Sequence, residues 1–468
     1  MTTPVTTLKD LAAATRGTWS DPPPNPDLPI SGFSFDTRTL QPGNVFIALT
    51  TPNADGHDYL DAAFAAGAAA ALVARPAPAP GPTLRVPDTL AALHHAAAQH
   101  RTSLRQPVIA VIGSNGKTTT RQLIHTALTP TLNGSQSPKS FNNHLGVPLT
   151  LLHAQPRHDF LLAELGTNHP GELEPLAQLA RPTHIVLTTL GAEHLEFFHD
   201  LAGVTREETS ALRHLHPPAT LIASAQAWSL VLQHTPDTAA QHTPILYDDN
   251  DTAAPVHITP DTLKQSAQGT TLTASVHGQT VDITLPMLGR HNAFNTLAAL
   301  AVAHQLNVPL NAAAASLAHL PTVTRRLERI QLHNHLLIDD AYNANPESTR
   351  LAIDTLLQLD TPPDHKTIVL GDMRELGDHT QTAHNDILQH LIDNTRRYRA
   401  AHLVGPHYTH AAANLETPPT LHTHPRDTDH TLNAIADTLP QHGTTLIKAS
   451  LGLNFLRLRH AIEARFVN

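Results

Sequence analysis

Val108-Ile109-Ala110-Val111-Ile112-Gly113-Ser114-Asn115-Gly116-Lys117-Thr118-Thr119 is the stretch that decides the fold. A β-branched apolar run stops at a glycine, and two small polar residues, a second glycine, a lysine and two threonines follow. The next segment, Arg121 to Leu128, suits a helix. The order is that of a buried strand, a phosphate loop and a helix N-terminus, where glycines let the backbone curl so that N–H groups face an anion. Gly113, Ser114, Asn115, Gly116 and Thr119 are expected to cradle the phosphates. Lys117 is expected to reach the β- and γ-phosphates, and the Thr118 hydroxyl to ligate Mg²⁺. The spacing is a compact form of G-x-x-x-x-G-K-[ST], because Val111 stands at the first glycine. The expected ligand is a nucleoside triphosphate.

At 468 residues the chain exceeds a single core, and three domains are expected, over 1–106, 107–320 and 321–468. The formal charge of −10, without a basic run, argues against a nucleic-acid partner. There is no cysteine, so disulfides, thiolate zinc sites and thiol nucleophiles are excluded. Neither a membrane span nor a secretion signal is visible, and a soluble cytoplasmic protein is the expectation. With 35 histidines, any single one needs motif context before it is given a role. His94 and His95, on a helical stretch, read as solvated.

Working outward, strands are expected at Phe160 to Ala163, His184 to Leu187 and Leu221 to Ala223, with a helix around Asn292 to Gln305. Arg75 to Pro82 is too rich in proline for helix or central strand. A second α/β pattern begins near Pro321. Its strands are expected at Leu336 to Ile338, Thr367 to Leu370, Ala401 to Val404 and Thr445 to Ile447, with helices between them. The fold class is therefore α/β with mostly parallel sheets, the last part Rossmann-like. In such sheets ligands gather at the carboxyl ends of strands. Three such ends in the middle segment carry candidate metal-site residues: Thr118, Glu164 and His194.

These residues, with several further motifs, resemble the Mur ligases, ATP-dependent enzymes of cell-wall precursor synthesis. The likeness includes Asp36-Thr37-Arg38, Phe141-Asn142-Asn143, Glu164-Leu165-Gly166, His194-Leu195-Glu196 and Gly289-Arg290-His291-Asn292 with Asn295. Two later motifs, Asp339-Asp340-Ala341-Tyr342-Asn343-Ala344-Asn345-Pro346 and Gly371-Asp372-Met373-Arg374-Glu375-Leu376-Gly377, are similar to those of the branch that adds D-alanyl-D-alanine to UDP-N-acetylmuramoyl-tripeptide. The resemblance implies an N-terminal UDP-substrate domain, a central ATPase and a C-terminal domain closing over the site. It implies ATP, two Mg²⁺ ions and an acyl-phosphate intermediate, with small-molecule substrates and a monomer. It also implies roles. Lys117, His194, Arg326 and Glu208 would be catalytic, and His291, Asn292, Asn295 and Asp340 would contact adenosine. Ser34, Asp36, Thr37 and Arg38 would face the UDP group, with Asn142, Asn143, Asn343, Asn345 and Lys448 at substrate.

The chain departs from the family pattern twice. A lysine that the family carbamylates to make a metal-bridging carboxylate is replaced, at the best alignment, by Glu208. Glu208 or Glu207 is expected to take its place beside Thr118, Glu164 and His194 as a metal ligand. Near the C-terminus the usual Lys-Gly-Ser-Arg reads Lys448-Ala449-Ser450-Leu451, so an arginine is missing, and Arg457 or Arg459 is the expected substitute. The competing readings are another Mur or folylpolyglutamate-type amide ligase, and a relative that binds nucleotide without chemistry.

Overall fold

The computed structural model describes residues 5–20 and 22–467. The first four residues and Asn468, at the ends of the expected outer domains, lie outside the described residues. Three sheets organise the chain. The first runs Thr18–Trp19, Thr83–Arg85, Ala70–Val73, Asn44–Ile47 and Gly32–Ser34, parallel except for the antiparallel first strand. The Pro-rich stretch after Val73 is a loop, as its composition requires.

The central sheet is built around Val108–Ile112, fully buried and flanked by Phe160–Glu164 and His184–Leu187 in parallel register. A strand buried on both faces reads as a continuous apolar run, which is why this one was legible. Helix Lys117–Leu128 packs against Arg290–Gln305, whose alanine- and leucine-rich middle is buried. The helix begins at Lys117, four residues before the apolar periodicity that marks it in sequence. Beyond Ile245–Asp248 the sheet gains Val256–Ile258, then the antiparallel strands Gly269–Val276, Lys264–Ser266 and Gln279–Leu285, none of which the sequence reading located.

The last sheet has the order Glu328–Leu332, His335–Asp339, Gly443–Lys448, Lys366–Gly371, Ala400–Val404, Leu421–His424. Its first two strands form a hairpin and the rest are parallel. The carboxyl ends Asp339 and Lys448 lie on adjacent strands, which brings polar side chains together at one edge. Among the described residues no helix is long and apolar enough to cross a membrane.

His335 sits wholly inside this last layer, with Nδ1 3.0 Å from the Pro440 carbonyl and Nε2 2.9 Å from Thr445 Oγ1. Burial pushes its pKa down to about 4, and that of His402 to about 3. Such groups stabilise the fold while they stay neutral. That contribution is lost as pH falls from the unfolded value of about 6.5 toward 4. Urea unfolding is therefore expected to show weaker stability at pH 5 than at pH 7.5. His335→Gln should remove about 2 kcal/mol of that pH dependence. A variant with the wild-type pH slope would contradict this.

Candidate active site

The loop between Ile112 and Lys117 turns through two left-handed glycines, Gly113 at φ +119° and Gly116 at +82°. A Cβ on Gly113 would lie 2.3 Å from Thr188 Oγ1, and one on Gly116 would lie 2.9 Å from Asn295 Oδ1. Both positions thus need glycine for conformation and for space. Gly116 is the N-cap of the helix and no side chain caps it, so the first-turn N–H groups are left for an anion.

Lys117 is buried with its ammonium folded back on the loop. Nζ donates to the Gly113 carbonyl and, at 3.1 Å, to that of Ser114, and lies 3.8 Å from Glu193 Oε1. Burial alone would lower its pKa, but Glu193, Glu208 and Glu164 outweigh it and the pKa is raised. Burial pushes the Glu193 carboxyl up to about 8, with Lys117 offsetting only part of it. Several acidic groups thus share one buried cation, and the lysine keeps its proton while an acid gives up its charge.

At the helix start Thr118 Oγ1 donates to Glu164 Oε1 at 3.0 Å. Asn142 Nδ2 donates to the same oxygen at 2.9 Å, and Arg121 pairs with Oε2 at 3.3 Å. From the far side Arg326 reaches Thr118 Oγ1 at 3.0 Å while stacking over the Tyr342 ring at 4.3 Å. His194 Nδ1 is 2.5 Å from Glu375 Oε2, a pair that crosses from the middle segment to the last one. Asn115 makes a further crossing. Its Nδ2 donates to Glu347 Oε2 at 2.8 Å and its Oδ1 accepts from Asn345 Nδ2 at 2.8 Å.

A cavity of about 430 Å³ lies between these elements. It is lined by the loop residues Ser114 to Thr119, by Asn142, Asn143, Glu164 and His194, by His291, Asn292 and Asn295, and by Arg326, Asp340, Asn343 and Lys448. The structure therefore brings most of the expected residues to one space. Lys448 Nζ is 2.6 Å from Asp340 Oδ2 and 3.0 Å from the Asn343 carbonyl. Burial lowers the His291 pKa to about 4, so its ring is neutral at pH 7.

Ser34, Asp36, Thr37 and Arg38 lie elsewhere, on the turn after Gly32–Ser34. There Asp36 accepts two bonds from the Arg38 guanidinium, at 2.8 and 2.6 Å, in an arm that is 85% exposed. Phe35, in the same turn, stacks on Phe141 at 6.4 Å, which places this turn beside the Asn142 segment.

Several expectations are corrected, and Gly113 is the first: it does not line the cavity, and its N–H is held by a carboxylate instead of being free for phosphate. Glu208 does not line the cavity. Its Oε2 accepts the Gly113 N–H at 2.7 Å on the buried side of the loop, and Glu207 instead caps the Leu173 helix through Gly171 N and Leu173 N. The carboxylate is thereby committed to the loop backbone, while Thr118 is bonded to Glu164. Arg457 pairs with Asp427 and Asp429, and Arg459 with Glu328, Asp339 and Glu463, so neither is free to replace the missing arginine. Asn345 caps helix Pro346–Gln358 and holds Asn115, without lining the cavity. His94 is half-buried and bonds the His144 carbonyl at 2.7 Å, whereas His95 is exposed as expected.

Glu193, Tyr342, Glu347 and Glu375 were missed as site residues. Each adjoins a residue or motif already singled out, and that adjacency was the available signal. Among the described residues no three His, Asp or Glu side chains form a metal cage. Mg²⁺ does not ask for one, since it takes a hydroxyl and one or two carboxylates with substrate phosphates and water. The Thr118–Glu164 pair fits that donor set.

Gly116→Ala is expected to destabilise the fold by about 1–3 kcal/mol and to weaken nucleotide binding at least about tenfold, because the Cβ meets Asn295 and the backbone is left-handed. Titration with a fluorescent ATP analogue checks this, and unchanged affinity would refute it.

The chain is similar to known proteins over most of its length. The Mur ligase middle domain matches residues 111–303, and the Mur ligase, glutamate ligase domain matches residues 325–450. The chain is 36% identical to the UDP-N-acetylmuramoyl-tripeptide--D-alanyl-D-alanine ligase of Escherichia coli K12, over 76% of this chain and 78% of that one. A crystal structure of MurF from Acinetobacter baumannii superposes with TM-score 0.84 at 29% identity, covering 98% of both chains. MurF ligase from Thermotoga maritima in complex with ADP shares the fold at TM-score 0.78 and 22% identity, over 93% of this chain and 97% of that one. With its three sheets, its phosphate loop and a relative this similar over most of its length, the chain belongs to the Mur ligase family, in the branch of the UDP-N-acetylmuramoyl-tripeptide--D-alanyl-D-alanine ligases.

Proposed function

We propose that this protein joins D-alanyl-D-alanine to UDP-N-acetylmuramoyl-tripeptide at the expense of ATP, forming the pentapeptide precursor of peptidoglycan. The observation that carries the reading is a single cavity lined both by the phosphate loop and by the Asp340–Ser348 and Lys448 segments of the last domain. Nucleotide phosphates and two peptide substrates can meet only in such a space.

The terminal carboxylate of the tripeptide attacks the γ-phosphorus of ATP. The P–O bond to ADP breaks and an acyl phosphate forms. The amine of the dipeptide then attacks the acyl carbon, loses a proton and expels inorganic phosphate. In the first step two anions approach each other, so positive charge is the main requirement. Lys117 supplies it at the β- and γ-oxygens and Arg326, held flat by Tyr342, at the opposite side. Thr118 and Glu164 would hold Mg²⁺, and a second ion would fall toward His194; bound there, the metal neutralises phosphate charge. Asn292, Asn295, neutral His291 and Asp340 are suited to adenosine, and the exposed Arg38 arm to the uridine diphosphate. The reading takes the protein as a monomer, and the need for ATP supports action in the cytoplasm.

Phosphate release from ATP is expected to require both UDP-tripeptide and D-Ala-D-Ala and to match UDP-pentapeptide formed. Nucleotide binding without release would favour a non-catalytic relative, and release with another acceptor a different amide ligase. Lys117→Met should lower kcat/KM by about 10³-fold or more. Among the described residues the lysines lining the cavity are Lys117 and Lys448, both engaged, so activity at limiting Mg²⁺ should be indifferent to bicarbonate. Stimulation by bicarbonate would show a carbamylated lysine.

A further inference from the structure

The proposed reaction brings two carboxylates into the cavity. One, on the tripeptide, reacts. The other ends the acceptor dipeptide and stays intact, and a carboxylate leaving water needs a cation of its own. The cations lining the cavity are already engaged. Lys117 holds the loop carbonyls, Arg326 the Thr118 hydroxyl and Lys448 Asp340. Arg325 donates to the Ala341 carbonyl and faces Asp339.

Beside the wall formed by the last domain one cation is unengaged. Arg374 is exposed, and among the described residues its guanidinium has no hydrogen bond or ion pair. Its place is nevertheless fixed. The Arg374 N–H donates to Ser450 Oγ at 3.1 Å, and the next residue, Glu375, lines the cavity. The guanidinium lies across Gly452, where a Cβ would come within 2.0 Å of Nη1. Gly452 follows Leu451, a cavity-wall leucine that is 55% exposed. The bare glycine is the seat on which a cation from the neighbouring strand end rests, next to an exposed aliphatic side chain. A cation beside a methyl-bearing surface suits a small aliphatic residue that ends in a carboxylate.

We infer that Arg374 binds the terminal carboxylate of the acceptor dipeptide, with Leu451 packing on its last methyl group, so that the pair sets acceptor specificity. The inference rests on the proposed function. It also accounts for the chain's departure at Leu451, because the guanidinium lost from that position is supplied from the adjacent strand end.

The test compares D-Ala-D-Ala with D-alanyl-D-alaninamide as acceptors for the full-length enzyme and its variants. Arg374→Met should raise the KM for the dipeptide about 10- to 100-fold while leaving the KM for ATP unchanged. It should also abolish the wild-type preference for the free acid over the amide. Arg374→Lys should keep part of that preference, and Lys139→Met, at an exposed side chain whose backbone carbonyl accepts from Arg121 in the middle domain, all of it. Arg374→Met with the wild-type preference would overturn the inference even if ligation is normal. If the wild-type enzyme does not ligate D-Ala-D-Ala at all, the functional reading falls and takes this inference with it. Because Arg374 is exposed, unchanged thermal unfolding of the variants confirms that the readout is binding.

Discussion

One buried ammonium holds this site together. Lys117 is enclosed by loop carbonyls and faces Glu193, with Glu208 and Glu164 close enough to raise its pKa. In water such attractions are worth little, but in an enclosed, weakly polarisable site they are several times stronger. The lysine can sit there only because the strand before it is wholly buried and the loop turns through two left-handed glycines. The strand, the turn and the charge are therefore mutually dependent. Removing the cation would leave acidic groups facing one another with no counter-charge, in the place where triphosphate oxygens must come.

The same loop ties the last domain to the middle one. Asn115 bonds Asn345 and Glu347, while Arg326 reaches back to Thr118. Asn345 also caps its own helix, accepting from the Ser348 N–H at 2.8 Å. One side chain thus starts a helix in one domain and holds the phosphate loop of another. Helix start and loop position are coupled by that geometry, and the His194–Glu375 pair adds a further tie. Short polar contacts of this kind close the cavity against water.

Much of this was legible because the signals are local. A β-branched run ending in Gly113, and strands ending in Glu164, Asp339 and Lys448, follow from the way buried parallel strands are composed. The antiparallel extension through Gln279–Leu285 was not legible. Its alternation of exposed and buried residues makes sense only once helix Leu310–Leu317 covers one face while Gly269–Val276 pairs along its edge. Arg325 shows another limit. Its φ of +57° is left-handed, a backbone conformation that favours glycine. The arginine pays for the strained backbone with bonds to the Ala341 carbonyl and, through its own N–H, to Glu328 at 2.9 Å. No sequence pattern announces such compensation, because it depends on which side chains lie across the turn.

Glu208 makes the same point about placement. An alignment places an acid where a carbamylated lysine belongs, and charge alone would let it serve. In the structure the carboxylate instead accepts the Gly113 N–H, behind the loop. An amide held by a carboxylate is not offered to a phosphate, so the anion-facing donors are the uncapped N–H groups at the start of the Lys117 helix. The acid thereby fixes one edge of the loop and leaves the helix dipole to attract the nucleotide. Among the described residues its other oxygen is buried without a hydrogen-bond partner; burial raises the carboxyl's pKa, and nearby Lys117 offsets part of that. The carboxylate thus serves the loop itself, fixing Gly113 from its buried side close to Lys117.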